Sequence, residues 1–434
     1  RLESQIQLYL QVEFAKVNLI IMAFLKYIID LIIVILLSSC SNQEDKIRNN
    51  EEELLSFDVS TLDNKEYEIK LSDLMESVEI VKMDSVQEAF TKIFRVAVSD
   101  NYFAIHHVNY PVKLYSRKSG KFWGNIGRIG NGPGEYFQIW NVAIEEADNR
   151  IYLVNQGRNQ IYSYDLNGNF HEDETIHLAD GQEFERPYIF ADKKKNQVVI
   201  FQTPYESYQS KHNNIPMIDN FCVVQELSGK LIQRISSAQY QIPRRDSGVW
   251  ASHIDSESPI YQCGIVPFYD CRKDTVYHYN VETNELYPVY TSNMFADEFT
   301  LVTSKETPLH YYTYQQTYKK GTMVNPEFRT GYKLFQVEKK TGKGQYIRVV
   351  NDYLGGIEFD VDYWFHDIRD DYVVYYWEPL VLLEHLEEAL DNNEMTMEVR
   401  ERVLQLKDSL DENDNNVMMI CKFKSRLTLL IYVK

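Results

Sequence analysis

The sequence predicts an all-β fold, a six-bladed β-propeller carrying a small helical insertion in its last blade. Three observations lead there: a composition rich in strand-forming aromatics, a strand-turn-strand unit recurring at long period, and one late stretch that changes to helical spacing. The chain has 434 residues with 32 Tyr and 21 Phe against 18 Gly and 12 Pro. Aromatics favour pleated, half-buried positions, and a chain without a packed core would not carry so many. A length of this order fits one large all-β unit.

The unit is clearest from Arg150 to Phe170. Arg150 to Asn155 and Gln160 to Asp165 alternate as strands, and Leu166-Asn167-Gly168-Asn169-Phe170 turns the chain back. Asn-Gly between alternating apolar runs predicts a type I′ hairpin, whose central residues both take positive φ. The same punctuation returns at residues 120, 168, 229, 284 and 342, every 48 to 61 residues. That period fits a four-stranded blade with its loops. Five turns and a closing C-terminal segment give six blades, with a β-sandwich the second choice, since its strands recur evenly without such a period.

One small sheet cannot cover both its faces, so neighbours must bury them and the ring must close. The expected closing strand is Asn416 to Phe423, paired with a lead-in somewhere between Ser56 and Met83. Between residues 380 and 411 the spacing changes. Leu383, Leu386 and Leu390, then Val399, Val403, Leu406 and Leu410, predict two amphipathic helices packed on the propeller rim.

The stretch Gly127 to Tyr136 joins two pieces of sheet. Gly132-Pro133-Gly134-Glu135 reads as a type II turn, with proline fixing φ at its second position and glycine allowing positive φ at its third. A dinucleotide cradle would need Gly-x-Gly-x-x-Gly opening a helix; Glu135 stands at the third glycine and aromatic residues follow, so Gly130, Gly132, Pro133, Gly134, Glu135 and Tyr136 form a structural motif.

The N-terminal region reads as an address. Lys26 precedes an apolar run from Ile28 to Leu37, broken by Asp30, and Leu37-Ser38-Ser39-Cys40 ends it. A central Asp costs about 3 kcal/mol while nine Ile, Leu and Val contribute about −4.5, so the run still engages export machinery. It is short for a spanning helix and built like a signal segment. Its ending resembles a bacterial lipobox, which implies cleavage before Cys40 and lipid on that sulfur. The expected layout is an upstream extension at 1–21, a signal segment at 22–40, a polar tether at 41–55, the propeller at 56–424 and a tail at 425–434.

Together, Gly127-Arg128-Ile129-Gly130-Asn131-Gly132-Pro133-Gly134-Glu135-Tyr136, the Ile151 to Phe170 unit, Asp274-Thr275-Val276-Tyr277 and the lipobox resemble the six-bladed β-propeller lipoproteins of Gram-negative gut anaerobes, related to NHL-type propellers. The resemblance implies a propeller from about residue 56 to 424, with Asp274-Thr275-Val276-Tyr277 in a fourth-blade strand, and an envelope location. It carries over no activity and no catalytic residues. The acidic patch after Cys40 resembles a surface-export signal, and the periplasmic leaflet stays open beside the outer one.

Chemistry is sparse in the sequence. A balance of 45 Lys+Arg against 64 Asp+Glu, net −19, argues against a nucleic-acid surface. The five cysteines at 40, 222, 263, 271 and 421 form no Cys-x-x-Cys pair, and a Cys263–Cys271 bridge stays open. Asp411 to Asn416 imitates a calcium loop, but Asn416 and Lys422 replace the required Gly and Glu. There is no Gly-x-Ser-x-Gly elbow and no His-Glu-x-x-His helix. Channel-calcium candidates would be Asp165, Asp270 or Asp274, each at an ordinary turn position. His106 and His107 alternate across a strand and cannot share a metal. Tyr311, Tyr312, Tyr314 and Tyr318, with Tyr205 and Tyr208, are candidate ligand contacts if exposed, and outer-blade packing otherwise.

The leading expectation is a lipid-anchored, non-enzymatic module at the outer membrane that binds a glycan, peptide or envelope protein through the loops over its channel. The alternatives are a propeller hydrolase or lyase with a channel metal, for which calcium is the candidate cofactor, and a structural subunit of an envelope complex. No other cofactor is expected.

Overall fold

The computed structural model describes residues 54–107, 110–155, 158–179, 187–202, 220–236, 249–257, 260–267, 275–294, 300–318, 329–359, 368–369, 371–391 and 395–424. The signal segment, Cys40, Tyr205, Tyr208, Asp270, Cys271, Asp274 and the 425–434 tail lie outside these residues.

Six antiparallel sheets form a six-bladed β-propeller. Blades one to five follow in chain order: 95–126, 139–177, 188–236, 249–291 and 300–351. Blade six takes its first three strands from the C-terminal part, ending in Val417–Phe423, and its outer strand, Met75–Lys82, from the N-terminal part. The register runs from Val417 opposite Lys82 to Phe423 opposite Met75, so the N-terminal and C-terminal parts of the chain meet in one sheet.

The ring is closed by side chains as well as by hydrogen bonds. Six buried clusters sit between successive blades, including one between blades six and one that joins Val81, Met418 and Ile420 to Val96, Phe103 and Tyr115. Strand periodicity explains how one strand serves two interfaces. In Arg150–Asn155, Ile151 and Leu153 face blade one, while Tyr152 and Val154 face blade three. Each large side chain so buried contributes about 1.5–3 kcal/mol.

Before it closes blade six, the N-terminal segment covers two other outer edges. Leu55–Ser56 adds a parallel strand to blade four and Glu66–Lys70 adds one to blade five. The one-turn helix α1, Leu71–Leu74, then leads into the closing strand. Unpaired strand edges template aggregation, and this strap removes three consecutive ones.

The five recurrent turns occupy one topological position, joining the third and fourth strands of blades one to five. Blade six has no such turn because its fourth strand comes from the other end of the chain. The turn after Asp165 differs from the type I′ expectation. Gly168 has φ +83° but Asn167 is not among the positive-φ residues. Gly168 N donates to Asp165 O and Asp165 N to Asn169 O, closing a three-residue loop with glycine in the left-handed position. The Asp165 carboxylate sets this geometry by accepting the Asn167 and Asn169 amides.

The helical insertion comprises α2, Pro379–Leu390, and α3, Met397–Asp408, between the second and third strands of blade six. Pro379 opens α2 at its first turn, and the Thr396 hydroxyl caps α3 by accepting the Val399 amide. The buried face of α2 is Leu382, Leu386 and Ala389 rather than Leu383, Leu386 and Leu390. It packs on Trp377, Leu354 and Val403, and Leu383 and Leu390 flank it. Among the described residues no helix is long and apolar enough to cross a membrane.

Candidate functional site

Connection lengths separate the two faces of the ring. The first-to-second hairpins are short, as at 99–101 and 307–309, and so are most third-to-fourth turns, as at 227–230. On the opposite face the described connections are long, with 83–94 and 127–138 between blades and most of 378–416 between the second and third strands of blade six. Surface connections are where a rigid scaffold carries recognition. The long-loop face is therefore the candidate functional face, and much of it lies outside the described residues.

The first strands of blades one, two and three lie beside one another around the axis, and each begins on that face. Arg95 opens the first, Trp140 lies second in the next and Tyr188 opens the third. The Arg95 guanidinium carbon stands 4.7 Å from the Trp140 ring centre, 5.3 Å from Tyr188 and 5.5 Å from Phe94. Phe94 packs edge-on against Trp140 and His106 and is 43% exposed. Arg95, Trp140 and Tyr188 are half-buried. Arg95 Nη1 is sealed from solvent and makes no hydrogen bond among the described residues. Three blades thus surround one cation with aromatic rings at the channel mouth.

The other end of the same strands is acidic. Burial, with repulsion from Asp148 and Asp192, pushes the Glu145 carboxyl up to about 7. Nearby, Glu174 is held well below the usual carboxylate range by Arg150, and Lys193 and Ser163 also bind it.

The Gly127 to Tyr136 motif lies on the long-loop face, between blades one and two. The Glu135 amide donates to Gly132 O at 3.0 Å and Gly134 has φ +66°, features of a type II turn with Pro133 at its second position. Glu135 folds back into the loop, accepting the Gly132 amide at 2.7 Å and Arg128 Nε at 2.6 Å. A Cβ on Gly130 would stand 2.1 Å from that carboxylate. Tyr136 is buried, accepting from the Val112 amide and donating to Ile126 O. The Glu135 carboxylate and the Tyr136 hydroxyl are thus satisfied within the protein.

Three of the four candidate tyrosines are interior. Tyr311 stacks on Tyr290 at 4.2 Å between blades four and five, while Tyr312 and Tyr314 belong to the cluster between blades five and six. Their expected stacking on a ligand does not hold, because a strand between two blades buries both its faces. Tyr318 ends the same strand, and its side chain lies outside the described residues.

Asp165 is spent on its turn. In the 411–416 loop, Asp414 pairs with Lys82 at 2.6 Å and accepts the Asp411 amide at 2.8 Å. His106 is buried beside Phe94 and His107 is half-buried beside Tyr110. Cys222, Cys263 and Cys421 are buried thiols. Among the described residues no three His, Cys, Asp or Glu side chains converge as a metal site. Exposed Leu380, Val381, Met397 and Leu404 give the helical insertion an apolar outer surface.

Sequence reasoning missed the Arg95 cluster. Its members are some 45 residues apart, and their one shared signal is position: each lies at or beside the start of a blade's first strand.

These features define a closed six-bladed β-propeller with one short-turn face and one elaborated face. The chain belongs to the DUF4934 family, a domain of unknown function, which matches residues 54–422. A solved structure from Bacteroides fragilis, of a protein assigned to export, aligns with TM-score 0.51 and 14% identity, over 86% of this chain and 100% of that one. A DUF4221-family structure from Bacteroides vulgatus aligns with TM-score 0.42 and 11% identity, over 81% and 97%. At 14% identity the first of these likenesses speaks for the fold alone. No curated protein matches the chain.

Proposed function

We propose that this protein is an exported, lipid-anchored propeller of the cell envelope that binds a ligand or partner protein on its long-loop face. The observation that carries the reading is the asymmetry of the ring, with short turns on one face and an aromatic-lined channel mouth beneath long connections on the other. Loops on a rigid scaffold are the usual seat of binding, and channel mouths gather groups from several blades. Envelope placement draws on the Leu37-Ser38-Ser39-Cys40 sequence and on the export assignment of the Bacteroides fragilis neighbour. Acylation of Cys40 would hold the protein at the outer membrane through the polar segment that follows.

Hydrogen-exchange footprinting of the purified protein with envelope extract tests the binding face. Protection confined to the 83–94, 127–138 and 378–416 connections is the expected result. Protection confined to the short hairpins would overturn the assignment. The anchor is tested separately by palmitate labelling in the native host, where wild type takes up label and Cys40→Ala does not.

A further inference from the structure

Arg95 is out of keeping with the charge balance of the molecule. In a chain with 64 acidic residues, a half-buried guanidinium ordinarily has a carboxylate partner, because desolvating a cation without one is costly. Arg117 follows that rule with Glu79, and Arg150 follows it with Glu174. Arg95 does not: among the described residues its side chain has three aromatic rings and no carboxylate.

We propose that Arg95, framed by Phe94, Trp140 and Tyr188, is a subsite for a small carboxylate ligand that carries a ring beside its anionic group. The two halves of that description come from the two kinds of group present. A guanidinium is planar and donates in a fixed fork that matches a carboxylate, and rings on its faces leave that edge free. Ring sealing accounts for Nη1, while Nε and Nη2 are not among the sealed, unpartnered atoms and the residue as a whole is half-buried. Phe94 is 43% exposed at the same place and offers an apolar face for the ligand's ring. A polyanion fits the molecule poorly, since the net charge of −19 repels it at long range, whereas a single carboxylate meets one local cation.

This subsite rests on the long-loop face being the binding face, and the experiment separates the two claims. The full mature chain is titrated with benzoate and glucuronate, and with the neutral analogues benzyl alcohol and glucose, following tryptophan fluorescence and hydrogen exchange. At least one carboxylate is expected to bind at least about tenfold more tightly than its neutral analogue, with protection at residues 94–95, 140 and 188. Arg95→Gln should remove that preference, and Arg95→Lys should retain part of it. Equal binding of carboxylate and neutral forms, or no binding of any of the four, overturns the subsite. The wild-type comparison decides this even if a variant fails to fold. Carboxylate binding with protection on the short hairpins overturns the binding face itself. Protection on the long-loop face without charge preference overturns the subsite alone.

Discussion

A Cβ on Gly168 would stand 2.5 Å from the carbonyl oxygen of Asn125, near the end of the preceding blade's outer strand. The same approach recurs around the ring. A Cβ on Gly120 would overlap Lys82 O, and one on Gly229 would stand 3.1 Å from His177 O. In blade four Asn284, with φ +56°, donates its side-chain amide to Arg234 O at 3.4 Å. Each turn therefore abuts the blade before it, and Lys82 belongs to the N-terminal closing strand.

Gly168→Ala should thus carry two costs, a left-handed backbone and a clash with main chain. About 2–4 kcal/mol is expected. Gly342→Ala is the control, because its φ of +66° is left-handed too but the nearest atom is a Leu55 methyl at an ordinary 3.5 Å. There about 1 kcal/mol is expected. Urea unfolding of the two variants checks the difference, and equal losses would count against the blade-to-blade contact.

Glu306 joins blades four and five. Its carboxylate lies 2.7 Å from His278 Nε2 and pairs with Lys339, whose ammonium stands 5.0 Å from the Tyr311 ring centre. Burial alone would raise its pKa, yet the bond to His278 and the Lys339 charge hold it below the ordinary value. Its stabilisation is thus present above the unfolded carboxylate pKa and is lost as pH falls. Glu306→Ala strands a buried ammonium and should cost about 3–5 kcal/mol at pH 7. Glu306→Gln keeps a hydrogen-bond acceptor and should cost less. Thermal unfolding of both variants gives the order.

Glu145 has the opposite sign. Its carboxyl is raised to about 7 in the folded protein, against about 4.3 in an unfolded chain. The folded state holds the proton more tightly, so this group's stabilisation is full below about pH 4.3 and lost as pH rises through 7. Glu145→Gln should therefore stabilise the protein at pH 8 by about 1–2 kcal/mol, after allowance for solvent screening, and change little at pH 4. Melting curves at the two pH values test it.

The turns were legible because left-handed backbone selects Gly or Asn, and that requirement returns once in each of blades one to five, at residues 120, 168, 229, 284 and 342. The closing strand was legible because Val417 to Phe423 is apolar on both faces, as a strand between two blades must be. The same physics hid the role of Tyr311, Tyr312 and Tyr314. Polar neighbours suggested exposure, but Ser304, Thr313 and Tyr290 hydroxyls satisfy one another in the interior. The α2 face was displaced by one residue because Leu380 to Leu383 is continuously apolar and spacing alone does not choose among them, whereas packing with Trp377 selects Leu382. Arg95, Trp140 and Tyr188 form no linear motif, and the ring alone brings them together.

The most direct test of the closed ring is native-state hydrogen exchange at Met418 to Cys421, compared between the intact protein and a chain beginning at Asp84. With Met75–Lys82 in place these amides should exchange among the slowest in the molecule, and without that strand they should exchange much faster. Unchanged protection in the shortened chain would contradict closure of blade six by the N-terminal strand.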